Sequence, residues 1–212
     1  MESSSIEYAL LAIQSALLGE VTPALRAVFI DLDQDQDLFL ANFYYDGEAS
    51  EERIDLWDCV VTEASADLDQ WFSRSKIERL DYPKVIEGRG YCAYLRKEES
   101  GLTCFRVEEP QISMVKPTLA YALLAVQNAL LAEVTPELRS VVVDVETDPL
   151  KLYIRFYYDG AISEALHQSW ESAQEKAQVY FGFSAILDGG IERRDYPEEM
   201  PFRGRYAYRR KE

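Results

Sequence analysis

Tyr8-Ala-Leu-Leu-Ala-Ile-Gln14 returns in the second half of the chain as Tyr121-Ala-Leu-Leu-Ala-Val-Gln127, and this repetition determines the fold that we predict. Phe43-Tyr-Tyr-Asp-Gly47 likewise returns as Phe156-Tyr-Tyr-Asp-Gly160, at the same offset of 113 positions. A solenoid generally needs three or more repeats, and two are found here. The sequence therefore predicts a tandem duplication of one module.

The ends of the two copies follow from their last shared motif, because Arg89–Glu98 returns as Arg203–Glu212. We predict a first module at 1–98, a connector at 99–116 and a second module at 117–212. The connector contains apolar residues, so we expect it to pack along the surface of the protein.

Each copy is predicted to contain two helices and four strands. In the first copy, apolar residues recur at helical spacing over 5–18, and Ser50 stands where an N-cap would begin a second helix. Alternating apolar and polar residues indicate the strands Val28–Leu32, Leu38–Tyr45, Ile77–Leu80 and Tyr91–Leu95. The predicted fold class is therefore α+β, with two tandem αββαββ modules, each with two helices packed on a mostly antiparallel sheet.

The composition restricts the partners and the compartment. A net charge of −16 argues against binding to nucleic acid or to an anionic membrane, because phosphates need a cationic surface. No apolar run approaches the ~20 residues of a membrane span. Cys59, Cys92 and Cys104 show no paired spacing, which predicts free, buried thiols in a reducing compartment, and we expect a cytoplasmic protein.

The residue types that carry catalysis are scarce in this sequence. His167 is the only histidine, and its counterpart in the first copy is Ile54, so we expect it to face the core. The acids at Asp33, Asp35 and Asp37 lack the glycine and the closing glutamate of a calcium loop. Acids shared by both copies, such as Asp46 and Asp81, suit turns and strand ends. We therefore predict no enzyme: no catalytic residue, no cofactor and no metal.

The tyrosine doublets Tyr44-Tyr45 and Tyr157-Tyr158 allow two interpretations. On a strand, one tyrosine of each pair faces the core and its neighbour faces outward. An outward tyrosine beside carboxylates would also suit the hot spot of a protein interface.

The two copies differ most in charge. Residues 1–98 carry 20 acids and 9 bases, whereas residues 117–212 carry 15 acids and 11 bases. The excess lies in the turn at 33–37 and in the second helix, where the second copy has Ala161 and Ala165 in place of glutamates. An acidic surface confined to one copy predicts binding of a basic protein partner. The predicted partner-binding residues are Asp33, Asp35, Asp37, Glu48, Glu52, Asp55 and Asp58.

Several short motifs resemble those of small bacterial immunity proteins that neutralise polymorphic toxins, including the toxins of contact-dependent inhibition. In the first copy they are Phe43–Gly47, Ser50–Glu52, Arg79–Pro83 and Tyr94–Lys97. In the second they are Phe156–Gly160, Ser163–Glu164, Arg194–Pro197 and Tyr208–Lys211. The resemblance implies a small, acidic, cytoplasmic protein that occludes a basic toxin domain stoichiometrically. Its duplication departs from the usual single module and leaves open which copy binds.

Two further possibilities remain open at this point. The cleft between the two modules could bind a small molecule or serve a weakly specified enzyme, and a deep pocket lined by paired acids and tyrosine would favour that function. A homo-oligomer is also possible.

Overall fold

The computed structural model describes residues 2–68, 71–98, 118–181, 186–201 and 204–212, so the predicted connector lies outside the described residues. In the first copy the elements are α1 (Glu2–Ala16), β1 (Leu25–Asp33), β2 (Leu38–Tyr45), α2 (Glu51–Ala66), β3 (Phe72–Arg79) and β4 (Tyr91–Leu95). In the second they are α3 (Leu119–Ala129), β5 (Leu138–Thr147), β6 (Leu150–Tyr158), α4 (Glu164–Phe181), β7 (Ile186–Arg193) and β8 (Arg205–Arg209).

Each copy forms a four-stranded sheet, in the orders β3-β2-β1-β4 and β7-β6-β5-β8. β1 pairs antiparallel with β2 and β4, but β3 pairs parallel with β2. The parallel pairing arises because α2 carries the chain back along the sheet between β2 and β3. The predicted α+β class is confirmed, with mixed sheets in which two of the three pairings are antiparallel.

Helix α2 forms where the sequence supplies both a cap and an apolar stripe. The Ser50 side chain accepts a hydrogen bond from the Arg53 N–H at 3.3 Å, and acidic residues occupy the first turn. Trp57 is fully buried against β2, with its ring 5.7 Å from that of Phe43 and 5.3 Å from that of Tyr45. The opposite side of the helix therefore remains exposed and carries the acids.

The face of the first sheet that is turned away from the helices is also covered. Phe29, Tyr44 and Cys92 form a second, smaller cluster with Ile86, which lies in the segment that joins β3 to β4. Both members of Tyr44-Tyr45 are consequently buried, as are both members of Tyr157-Tyr158. The interpretation of these outward tyrosines as an interface hot spot is therefore wrong, because the strand connections shield them.

The two copies complete each other at a nearly symmetric junction. The Lys97 N–H donates to the Val134 carbonyl at 2.8 Å, and the Lys211 N–H donates to the Val21 carbonyl at 2.9 Å. Gln14 repeats the symmetry with its counterpart in α3, since each side chain donates to a carbonyl of the last strand in its own copy. One hydrophobic cluster contains residues of both copies, so the halves share a continuous core. Of the described helices, none is long and apolar enough to cross a membrane.

Candidate functional site

A buried arginine organises one end of each sheet. Arg26 is 1% exposed, and its Nε and Nη2 atoms each lie 2.6 Å from the Glu98 carboxylate. The guanidinium also donates to the carbonyls of Leu80 at 2.5 Å and Lys84 at 3.0 Å. A charge this deeply buried is tolerated because it has a bidentate partner and further acceptors.

The Asp-Gly turn and the Asp-Tyr-Pro step are held against each other beside this arginine. The Asp46 carboxylate accepts hydrogen bonds from the Tyr82 N–H and from Arg96, both at 2.5 Å. The Asp81 carboxylate in turn accepts from the Gly47 N–H at 2.8 Å. Reciprocal bonds between backbone donors and carboxylates lock the two loops together, so these shared acids have structural roles, as predicted.

The second copy repeats this arrangement almost atom for atom. Arg139 is 2% exposed and pairs with Glu212, Arg210 pairs with Asp159, and Asp195 accepts from the Gly160 N–H at 2.7 Å. Sequence analysis missed Arg26 and Arg139. The available signal was an arginine at the same position of an otherwise apolar strand in both copies.

The locked loops give the protein a predictable response to acid. Hydrogen bonds from Arg79 and from the Gly47 N–H lower the pKa of Asp81, and Arg193 and the Gly160 N–H lower the pKa of Asp195. A carboxyl group whose folded pKa is depressed stabilises the fold above its unfolded pKa and loses that contribution as pH falls through the folded pKa.

We therefore expect the melting temperature to stay nearly constant down to about pH 5 and to fall steeply below about pH 4, where carboxylates protonate. Melting temperatures measured at a series of pH values check this. The double variant Asp81→Asn, Asp195→Asn should show a shallower acid dependence than the wild type. An identical dependence in the two proteins would contradict the assignment.

The seven predicted partner-binding residues form two groups rather than one patch. The turn between β1 and β2 carries Asp33, Asp35 and Asp37 at one end of the sheet, where the chain also enters β3. Glu48, Glu52 and Asp55 lie near the start of α2, at the opposite end of β2. An eight-residue strand at about 3.4 Å per residue separates these ends by about 27 Å. Asp58 lies between the groups and accepts a hydrogen bond from Ser75 on β3.

Within the turn, the three aspartates have different local roles. Asp33 is half-buried and accepts from the N–H groups of Asp35 and Gln36, at 3.1 and 3.2 Å. Asp37 has a φ of +49°, a conformation that asparagine and aspartate tolerate better than most residues. Asp35 is exposed. Replacement by asparagine would therefore remove charge while keeping the shape of the turn.

The helix α4 is tied to the opposite copy by an ionic network. Glu133 accepts from Lys176 at 2.8 Å, from Ser172 at 2.6 Å and from Lys97 of the first copy at 3.3 Å. Burial alone would raise the pKa of Glu133, but the bonds from Lys176 and Ser172 outweigh it and lower that pKa. Lys97 also donates to Ser169 on α4 at 2.5 Å.

The corresponding positions on α2 cannot form the same network. They hold Leu56, Cys59 and Glu63 where α4 has Ser169, Ser172 and Lys176. The related contact is the ion pair of Lys211 with Glu20 at 3.0 Å. Among the described residues, the neighbouring copy therefore makes fewer polar contacts with α2 than with α4.

Comparison with known protein families decides the identity of the module. The sequence profile described as MafI2 immunity protein matches residues 7–98 and again residues 120–212. The chain belongs to the MafI2 immunity protein family. The two matches confirm the predicted resemblance to immunity proteins in duplicate, and they point to a toxin-neutralising function. No curated protein matches the chain in sequence.

MafI2 membership and the structure together explain the motifs that carried the resemblance. Asp46, Asp81 and Arg96, with their counterparts in the second copy, build the locked loops rather than an exposed surface. These shared motifs therefore have structural roles in both copies.

Two expectations about single residues are wrong. His167 is only half-buried, with its ring 5.9 Å from that of Trp170, and its counterpart Ile54 is 36% exposed. In both helices these positions lie beside the buried stripe rather than within it. Cys59 is exposed, whereas Cys92 is buried as predicted and has a pKa raised to about 12 by burial. Cys104 lies outside the described residues.

A cleft of about 730 Å³ separates the end of the first copy of this MafI2 protein from the start of α4. Its walls include Tyr82, Lys97, Glu98 and Glu137. Both oxygens of Glu98 accept from Arg26, so this carboxylate is already neutralised by a buried cation. Glu98 is therefore not a free member of the acid pair that would favour the small-molecule or enzyme alternative. In the described parts of the chain, no group of three potential metal ligands occurs.

Proposed function

We propose that this protein is a non-enzymatic inhibitor that neutralises a basic toxin domain by stoichiometric occlusion in the cytoplasm, and that its first copy supplies the binding surface. Membership of the MafI2 immunity protein family supports the toxin as partner. The choice of copy is supported by one observation. Glu48, Glu52 and Asp55 are exposed near the start of α2, and the second copy has Ala161, Ala165 and Gln168 at these positions.

The acidic surface is largely uncompensated, which suits electrostatic steering. Glu48 is 92% exposed and lies 3.7 Å from Arg79, a distance at which the attraction in water is weak. Glu52 and Asp55 are exposed and make no ion pair with the described residues. A toxin with a cationic active face would be attracted by such a surface, with an association rate that falls as salt rises.

The proposal predicts that the adjacent gene encodes a protein with a toxic C-terminal domain, and the test is a titration with that domain. We expect a 1:1 complex that abolishes toxicity. Asparagine at Asp33, Asp35 and Asp37 together should lower the association rate by at least about tenfold at low salt. The set Glu48→Gln, Glu52→Gln, Asp55→Asn should have a comparable effect.

The matched control removes the same number of charges from the second copy, as Glu164→Gln, Glu171→Gln, Glu175→Gln on α4. This variant should associate at close to the wild-type rate. An equal loss from the control set would show that only the total charge matters. A wild-type protein that fails to bind the toxin domain would refute the proposed function itself.

A further inference from the structure

The outer edge of the first sheet is formed by β3, which has a neighbour on only one side among the described strands. The Phe72 N–H donates to the Asp37 carbonyl at 2.8 Å, and the Leu80 N–H donates to the Tyr45 carbonyl at 2.9 Å. In a strand, the N–H and C=O groups of alternate residues point to opposite sides. Even-numbered residues of β3 therefore bond to β2, and Ser73, Ser75, Ile77 and Arg79 direct their backbone groups outward.

The acidic side of α2 stands directly above this edge. The hydrogen bond from the Ser75 hydroxyl to Asp58 fixes α2 over β3, on the face of the sheet that also receives Ile77. Asp55 precedes Asp58 by three residues, so both carboxylates lie on the same side of the helix. Any strand added beyond β3 would present alternate side chains to these carboxylates.

The other face of the same edge has a different chemistry. Phe72 is 74% exposed, Arg74 is exposed, and Lys76 pairs with Glu78 at 2.8 Å. Side chains of an added strand on this face would meet an aromatic ring and cations. The edge therefore suits a strand with basic residues at alternate positions and apolar or acidic residues between them.

The equivalent edge of the second copy lacks this combination. In β7 the counterpart of Ser75 is Gly189, and the amide of Gln174 on α4 occupies the space above it. Asp188, the counterpart of Arg74, is paired with Arg155 at 2.7 Å and with Lys151 at 3.1 Å. The second edge therefore keeps one carboxylate, Glu171 at the position of Asp58, but has Gln168 in place of Asp55 and no cation at the position of Arg74.

We infer that the partner binds by adding a strand to β3, using an extended segment of the toxin domain that carries lysine or arginine at alternate positions facing Asp55 and Asp58. This inference rests on the proposed function, since the added segment belongs to the proposed toxin. Main-chain hydrogen bonds would supply affinity, and the alternating side chains would supply specificity.

The first experiment measures hydrogen exchange of single amides by NMR in the full-length protein, alone and with the neighbouring toxin domain bound. The outward amides of Ser73, Ser75, Ile77 and Arg79 should exchange at least tenfold more slowly in the complex. The corresponding amides of β7 should keep their exchange rates. A tight complex in which the four β3 amides exchange as in the free protein overturns strand addition while leaving the proposed function intact.

The second experiment uses proline, which edge strands tolerate where the N–H points to solvent. Ser73→Pro removes one outward donor without breaking the ladder to β2, and should weaken binding of the toxin domain at least tenfold. The matched control, Leu187→Pro on β7, should bind as the wild type does at temperatures well below its melting temperature, which the loss of the partly buried leucine is expected to lower. Ser73 is exposed, so Ser73→Pro should keep the wild-type melting temperature. Equal binding by the two variants overturns the inference, and absence of binding by the wild type overturns both proposals. If Ser73→Pro does not fold, the exchange experiment on the wild type decides alone.

Discussion

Replacing Arg26 by alanine is expected to lower the free energy of unfolding by about 3–5 kcal/mol, as is typical when one partner of a buried ion pair is removed. The substitution leaves the Glu98 side chain, which is 8% exposed, with Arg96 at 3.1 Å as its remaining cation among the described residues. It also leaves the carbonyls of Leu80 and Lys84 without this donor. Each unsatisfied buried group adds a desolvation penalty.

The duplication provides a graded comparison for this prediction. Arg139→Ala removes the equivalent guanidinium, but its partner Glu212 is 19% exposed and can be reached by water more easily. We expect a smaller loss there than for Arg26→Ala. Arg74→Ala on the exposed side of β3 is the control and should change stability by less than about 0.5 kcal/mol.

Urea denaturation followed by tryptophan fluorescence measures all three variants. A loss below about 1 kcal/mol for Arg26→Ala would mean that the buried network does not hold the loops. The conservative variant Arg26→Lys keeps the charge but not the bidentate geometry, so it should fall between the wild type and the alanine variant.

Trp57→Ala is the second substitution with a large expected effect, about 3–5 kcal/mol, because a fully buried tryptophan is replaced by a cavity. The indole packs against Phe43 and Tyr45 and anchors α2 to the sheet. Its counterpart Trp170 is only half-buried, and Leu166 and Ser169 share the buried side of α4. Trp170→Ala should therefore cost clearly less.

Thermal denaturation of the two tryptophan variants distinguishes these cases. Equal losses would indicate that α2 and α4 are anchored equivalently, contrary to the burial of the two side chains. Because α2 carries the acids of the proposed binding surface, Trp57→Ala should also weaken toxin binding at temperatures well below its melting temperature, whereas Trp170→Ala should bind as the wild type does there.

The sequence was sufficient for the elements and the fold class but not for their relations in space. Helical spacing and the Ser50 cap predicted α2, and alternation predicted β2 with its observed ends. The parallel pairing of β3 could not be predicted, because both edges of the first hairpin were open to it. β1 begins at Leu25 rather than at Val28. Local patterns do not show that Arg26 can be buried, because its hydrogen-bond partners Leu80 and Glu98 lie 54 and 72 residues further along the chain.

Comparison of the copies predicted charge differences more reliably than it predicted burial. It identified the acids that α4 lacks, since these are visible residue by residue. It failed for His167 and Ile54, because two residues at one position can both lie beside the core stripe rather than in it. The division of the seven acids between the two ends of β2 also depends on the path of the chain, which local patterns do not reveal.

At the junction, the residues that follow the last strand of each copy form hydrogen bonds with the other copy, so a change in one copy also affects the other. Neither half can lose its final strand without disturbing its neighbour, so the two halves should melt as one cooperative unit. Repulsion among the crowded carboxylates of the acidic half then acts against the stability of the whole protein. The less charged half can contribute stability that the acidic half lacks, which would leave the proposed binding surface freer to vary as its partner changes.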